Sequence, residues 1–440
     1  MKKPSNSNPA AGFGDLPREI LLQILVSLPV ISILRCTAVS KVWNSLIRSS
    51  EFVSHHRSSF TLSSNSNPDR RPSLLLRRLT AASSEHFTLH SDPERFAASS
   101  VDISSPFKPR SGVPGCIHVF GSLHGLICLC DNFHMYAYTI YIWNPSLRRF
   151  IDVPSPTLNF REMGELAGPN SAPAVLGFGY DSNRNDYKVV RIAYPRTAGA
   201  PRRAEVYALK ERQWREVPNA SAVLQSCDGD ILWSQCFVDG IIYWPAKVGL
   251  RNNFLLAFDV NDESFSRIEL LKELPGAGES RLISISETKV TGLLTVLYYT
   301  ATSCEILVKQ GCSGADNSWA RFCSVSIVDP TRELVIGLWQ DKEVLLQKGR
   351  EEDLVGSPRS GQEVVLCLYD HKTRQVELLG IPGAGYLDVF YAADYTESIV
   401  LLEPEVCAVS YRDPEVEPIA RSVNFDLEDA HFKWCGEQRR

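Results

Sequence analysis

The chain has 440 residues, 44% hydrophobic and 22% charged, the balance expected of a soluble globular protein of two or three domains. Its formal net charge is −5, so no global field favours nucleic acid or an anionic membrane, and no apolar run approaches the length that spans a bilayer. Twelve cysteines, in a long chain whose start M-K-K-P-S-N-S-N-P leads into no apolar signal, read as reduced thiols of a cytoplasmic or nuclear protein.

Residues 1–14 read as a disordered leader. From Asp15 the pattern turns helical: Leu16, Ile20, Leu21, Ile24, Leu25 and Leu28 recur at one-, three- and four-residue steps. Asp15 is the expected N-cap, Pro17 falls in the first turn, and Pro29 ends the helix. A second helix carries Ile33, Leu34, Thr37 and Ala38. A third, from about Ser40, carries Trp43, Leu46 and Ile47 until Ser49, Ser50 and Glu51 break the pattern. Three such helices enclose little surface, and their apolar residues point to more than one face. The physical expectation is a module that completes its core by docking on another protein. One alternative is a cap packed wholly on its own C-terminal domain. A DNA-reading helix pair is weaker, since the third segment offers only Lys41 and Arg48 as cations.

This stretch, residues 15–56, resembles an F-box. The matching residues are Leu16, Pro17, Glu19 and Ile20, then Leu28 and Pro29, then Val39, Lys41 and Trp43, with Ser40 replacing the frequent Cys. Phe52 and His55–His56 stand where the family often closes. The resemblance implies docking on a Skp-family adaptor, which links to a cullin, through Leu16, Pro17, Ile20, Leu21, Ile24, Leu28, Pro29, Ile33, Leu34, Val39, Trp43 and Ile47. Some of these must instead hold the helices together.

Residues 57–72, rich in Ser, Asn, Pro and Arg, read as a linker loop. From 73 to 408 short β-rich runs alternate with Gly, Asn, Asp and Pro turns. One unit recurs: a glycine-marked strand, then a strand, a polar turn and a strand with an aromatic or branched residue. It is seen in Y-I-W-N-P-S-L-R-R-F from Tyr141, V-Y-A-L-K-E-R-Q-W from Val206, L-A-F-D-V-N-D-E-S-F from Leu256 and L-C-L-Y-D-H-K-T-R-Q-V from Leu366, with a fainter copy from Glu305. The step of about fifty residues suits four-stranded propeller blades. With S-L-L-L-R-R-L and H-F-T-L-H before and S-I-V-L-L (Ser398–Leu402) after, the fold class is a small all-α module followed by an all-β propeller of roughly six blades. Residues 409–440 read as a charged tail.

The β region resembles the F-box-associated domain of plant proteins, related to Kelch repeats. The residues that carry this are Gly121–Leu126 with Trp143–Asn144–Pro145, Gly177–Asp181 with Asp186–Val189, Asp239–Trp244, Phe258–Asp259 and Glu397–Ser398. The glycine, Tyr and Trp spacing of true Kelch repeats is not kept in every blade.

Chemistry-bearing residues are sparse. His124, Cys128, Cys130 and His134 have the types of a zinc site, but Cys128 and Cys130 alternate on one strand and read as buried thiols, and the histidines as loop residues. Asp228/Asp230, Asp259/Asp262 and Glu351/Glu352 read as turn carboxylates that bond nearby backbone. Trp143, Trp214, Trp244, Trp319 and Trp339 recur with the repeat and read as blade core. Arg148–Arg149 and Arg202–Arg203 fall on turns. Together the two resemblances imply a non-catalytic substrate receptor of an SCF-type ubiquitin ligase, with no cofactor, no nucleic acid and no membrane, whose propeller binds an unknown target protein. Its target loops are expected at 161–174, 311–318 and 349–361. The alternatives are a propeller enzyme of the oxidase or glycosidase kind and an F-box scaffold acting outside a ligase.

Overall fold

The computed structural model describes residues 17–400, apart from 64–72 and parts of the connections between strands. Helix α1 (Arg18–Val26) begins with Pro17 at the N-cap position, its carbonyl accepting from the Ile20 and Leu21 amides at 3.0 and 3.1 Å. The expected cap, Asp15, lies outside the described residues, as does Leu16. Helix α2 (Val30–Cys36) follows Pro29 directly and has no side-chain cap of its own segment. Helix α3 (Lys41–Ile47) is capped by Ser40, whose Oγ accepts from the Trp43 amide at 3.1 Å.

A fourth helix, α4 (Ser50–Ser63), corrects the expected linker at 57–72. The Ser49 Oγ accepts from the Phe52 amide at 3.2 Å, so the serines read as breakers start a helix instead. Further on, the Ser58 and Ser59 hydroxyls donate back to the Ser54 and His56 carbonyls at 3.0 and 2.7 Å, so the polar side chains find partners within the helix itself.

Six four-stranded antiparallel sheets form the blades of a propeller. Blade 2 holds Ile117–Leu123, Leu126–Phe133, Tyr136–Asn144 and Arg149–Val153; blade 3 holds Ala174–Asp181, Asp186–Ala193, Arg203–Ala208 and Gln213–Glu216. Blade 4 holds Cys236–Val238, Ile241–Val248, Asn252–Asp259 and Ser264–Glu269. Blades 5 and 6 run from Leu282 to Ser326 and from Leu334 to Ala384 in the same order. Blade 1 is composite. Its Ser73–Leu79, Glu85–His90 and Ser100–Ile103 are joined by Phe390–Tyr395 from the other end of the chain, in register from Ser73↔Tyr395 to Arg78↔Phe390. The strands nearest the axis then touch one another in a closed circuit. The closing strand differs from the expected S-I-V-L-L. Ser398–Val400 lie outside any strand because the Asn144 side chain, not a ladder, takes the Ser398 and Val400 carbonyls.

Sequence explains why the blades pack so tightly. Middle strands are buried on both faces, so they read as continuous apolar runs rather than alternating ones: Leu126–Cys130 and Tyr187–Ala193 are buried throughout. Trp143, Trp214, Trp244 and Trp339 are blade core and Trp319 is half-buried beside it. Trp244 donates from Nε1 to the Leu176 carbonyl at 2.9 Å, and its ring occupies the space of a side chain at Gly177, where a Cβ would lie 2.3 Å from Cζ2. Turns are closed by side chains. Asp259 Oδ1 accepts from the Asn261 and Asp262 amides at 2.8 and 3.0 Å, and Asp370 Oδ1 from the Lys372 amide at 2.7 Å.

Candidate docking surface

The apolar residues of α1–α4 fall into two sets. Leu21, Leu25, Val30, Ile33, Ile47, Phe52 and Val53 are buried. All but Leu21 belong to a cluster that continues into blades 2 and 3 through Phe120, Leu126, Phe178 and Tyr187. Leu28, Leu34 and Trp43 pack partly buried against it. The second set faces solvent: Ile20 is 44% exposed, Ile24 39%, Ile31 56%, Val39 69% and Val42 72%. Pro17 and Pro29 are exposed as well. Ile20 and Ile24 are one turn apart and share a stripe of α1. Nine large apolar side chains are exposed among the described residues, and these five all lie between residues 20 and 42, a density that calls for a partner.

Of the twelve residues expected at the docking surface, Leu21, Ile33 and Ile47 are therefore core, Pro17, Ile20, Ile24, Pro29 and Val39 are surface, and Leu16 lies outside the described residues. The exposed Ile31 and Val42 were missed. Their signal was weak, because each sits next to a core position and helical periodicity assigns neither to the apolar stripe.

The module is also seated on its own propeller. Arg57 Nη1 donates to Asn185 Oδ1 at 2.8 Å, and its guanidinium lies 4.3 Å from the centre of the Tyr180 ring. Asn185 Nδ2 donates in turn to Ser54 Oγ at 3.0 Å, and the Tyr180 hydroxyl to Asn185 Oδ1 at 2.7 Å. Asn185 adopts a positive φ of 53° at the tip of a blade 3 hairpin, which presents its amide to α4. Packing on the C-terminal domain, one of the sequence alternatives, thus occurs through α4 and the buried residues of α1 to α3, while Ile20, Ile24, Ile31, Val39 and Val42 stay exposed.

Of the four residues weighed as metal ligands, three lie among the described residues. His124 stands in a hairpin turn with Nδ1 3.2 Å from the Tyr187 hydroxyl. Cys128 and Cys130 are fully buried, and burial pushes the Cys128 thiol far above its ordinary range. His134 lies outside the described residues, among which no group of three or more His, Cys, Asp or Glu is placed to hold a metal. Asp228, Asp230, Glu351 and Glu352 also lie outside them, as do the expected target loops except for Ala174, Ser318 and Gly349. Arg203 pairs with Glu216, and Arg202 covers the Tyr194 ring at 4.9 Å. Among the described residues seven cysteines stand outside any disulfide, and no helix is long and apolar enough to cross a membrane.

Residues 13–57 match the F-box-like family, and residues 74–286 match the F-box associated beta propeller domain. An F-box/kelch-repeat protein of Arabidopsis thaliana is 26% identical over 263 residues, 60% of this chain and 65% of that protein. An F-box protein of the same plant is 25% identical over 276 residues, 58% of this chain and 60% of that protein. The chain thus spans less than two thirds of the length of these relatives. Among solved structures, TolB from Acinetobacter baumannii is similar at a TM-score of 0.43 and 9% identity, over 78% of this chain and 72% of that one. With its helical segment and closed six-bladed ring, the chain is an F-box protein of the plant type, an F-box joined to an F-box-associated β-propeller.

Proposed function

We propose that this chain is the substrate-recognition subunit of an SCF-type ubiquitin ligase, docking a Skp-family adaptor, and through it a cullin, by its F-box. The observation that carries the reading is the cluster of exposed apolar residues, Ile20, Ile24, Ile31, Val39 and Val42, on a module already seated on its propeller by other residues. Pro17 and Pro29 are exposed on the same helical segment, and Leu28, Leu34 and Trp43 pack half-buried against its core. On this reading the F-box unit runs to the end of α4, and the propeller, from residue 73, holds the target protein. The chain itself makes and breaks no bonds. It raises the effective concentration of target lysines near a ubiquitin-loaded enzyme held elsewhere in a cytoplasmic or nuclear assembly.

The test is a titration of purified Skp-family adaptor against the full chain and the variant Ile20→Ala. Truncating a central anchor costs about 2 kcal/mol, so affinity is expected to fall roughly 30-fold. Ile20 is exposed, so the thermal transition of the chain is expected to stay in place. Equal affinity in the two proteins would count against docking through this surface. Co-purification of cullin with the adaptor-bound chain separates a ligase subunit from a scaffold acting elsewhere.

A further inference from the structure

The segment after the closing strand, Thr396–Val400, plays no part in the reading above, yet it is among the most firmly held pieces of chain. Asn144 Nδ2 donates to the carbonyls of Ser398 and Val400 at 3.0 and 2.7 Å. Ser146 Oγ lies 2.7 Å from the Tyr395 hydroxyl and accepts from the Ser398 amide at 3.4 Å, while the Val400 amide donates to Ser398 Oγ at 3.1 Å. The segment lies directly on the His124–Gly125 turn of blade 2: a Cβ on Gly125 would meet Ser398 Cβ at 2.3 Å. It therefore bridges blade 1, which it leaves, and blade 2, on which it rests.

Its other side reaches the F-box. Ile399 has no exposed surface and Val400 almost none, and both belong to the cluster that holds Leu25, Val30, Ile33, Ile47, Phe52 and Val53. Partial burial raises the Glu397 carboxyl above its ordinary value, and the Val30 amide beside it opposes that rise. Val30 is the first residue of α2, a helix whose cap position is Pro29 and whose own segment supplies no acceptor. A helix start leaves its first amides unpaired, and a carboxylate placed there meets both that need and the positive end of the helix dipole.

We propose that Thr396–Val400 is a strap that completes the F-box. Glu397 caps α2 from the far end of the chain, and Ile399 and Val400 fill the core that the short helices cannot enclose alone. Adaptor affinity then depends on residues that never touch the adaptor. The strap is in place only when Phe390–Tyr395 has closed the ring, so docking competence follows propeller closure, and an incompletely folded receptor presents a loosened F-box. The consequence for docking rests on the adaptor reading; the structural claim does not.

Both are tested on the full chain with Glu397→Ala and Asn144→Ala, by amide hydrogen exchange and adaptor titration in parallel. Glu397 is exposed, so its truncation removes the cap without opening the core. Amides of α2 are expected to exchange about 5- to 10-fold faster, the scale of a lost cap, with unchanged rates in the strands of blade 4. Adaptor affinity is expected to fall by a similar factor, and Glu397→Gln, which keeps an acceptor, to recover part of both. Unchanged α2 exchange in Glu397→Ala overturns the strap, whatever the adaptor does and whether or not Asn144→Ala folds. A wild-type chain that ignores the adaptor overturns the docking reading and leaves the exchange result to decide the strap.

Discussion

Lys188 is a fully buried cation, and its ammonium lies 2.5 Å from Asp181, 2.7 Å from Glu263 and 2.8 Å from the Val260 carbonyl. Glu263 occupies the left-handed position of a blade 4 turn and also takes Arg215, so the network ties blade 3 to blade 4. Burial pushes the Asp181 carboxyl up, but hydrogen bonds from Lys188 and the Arg184 amide outweigh it and hold the group below its ordinary value of 3.8. Glu263 follows the same logic. Burial raises it, and Arg215 with Lys188 brings it below 4.5. A carboxyl lowered in the folded state binds fewer protons there than when unfolded. Its contribution is therefore complete above the unfolded value and is lost as pH falls through the folded one. Lys188→Met leaves the buried Asp181 carboxylate without its cation, while Glu263 keeps Arg215, and is expected to cost about 3–5 kcal/mol at pH 7. In urea denaturation the gap between wild type and variant is expected to narrow as pH drops below about 4, where the abandoned Asp181 carboxyl takes up a proton. A gap of the same size at pH 7 and pH 3.5 would contradict this account.

At the scale of the element, α4 shows how a few hydrogen bonds decide what a sequence becomes. Ser49→Ala removes the oxygen that takes the Phe52 amide, and a lost cap typically costs about 1 kcal/mol. Because Phe52 and Val53 join the F-box core to blades 2 and 3, the loss is expected as a lower midpoint of the whole transition rather than as separate melting of the helices. Calorimetry distinguishes the two, and a new low-temperature peak would show that the F-box melts alone. The same element marks where the sequence stopped being legible. Ser49–Glu51 carries both breaker and cap chemistry, and contacts far off in sequence favour the helix: Arg57 docks on Tyr180 and Asn185, more than a hundred residues away, and Phe52 and Val53 are buried against blades 2 and 3. The propeller was readable because blade repeats are local: Asn144, Asp259 and Asp370 each open a turn, and the flanking runs are uniformly apolar. The docking surface was readable only as a pool of residues. Ile20 and Leu21 are neighbours of similar chemistry, and tertiary packing alone sends one outward and the other inward. Glu397 and Ser398 were legible as family residues but not as a strap, since nothing in their spacing points to Val30 or Asn144.

For the whole molecule, the decisive feature is that blade 1 is assembled from both ends of the propeller. Ser73–Leu79 lies between Glu85–His90 and Phe390–Tyr395, so removing the latter uncovers a seven-residue edge whose Leu74, Leu75 and Leu76 are otherwise buried. An exposed apolar edge strand is a template for pairing with another chain. The ring also loses the contacts of Phe390–Tyr395 with the inner strands of blades 2 and 6. A chain ending at residue 389 is therefore expected to lose its single cooperative transition and to self-associate. A chain ending at residue 400 is expected to keep both the transition and a monomeric mass, because the strand and the strap remain. Calorimetry and light scattering on the two truncations separate closure from any contribution of the tail. If the shorter chain melted like the longer one and stayed monomeric, blade 1 would be stable as three strands and the ring would not depend on closure at all.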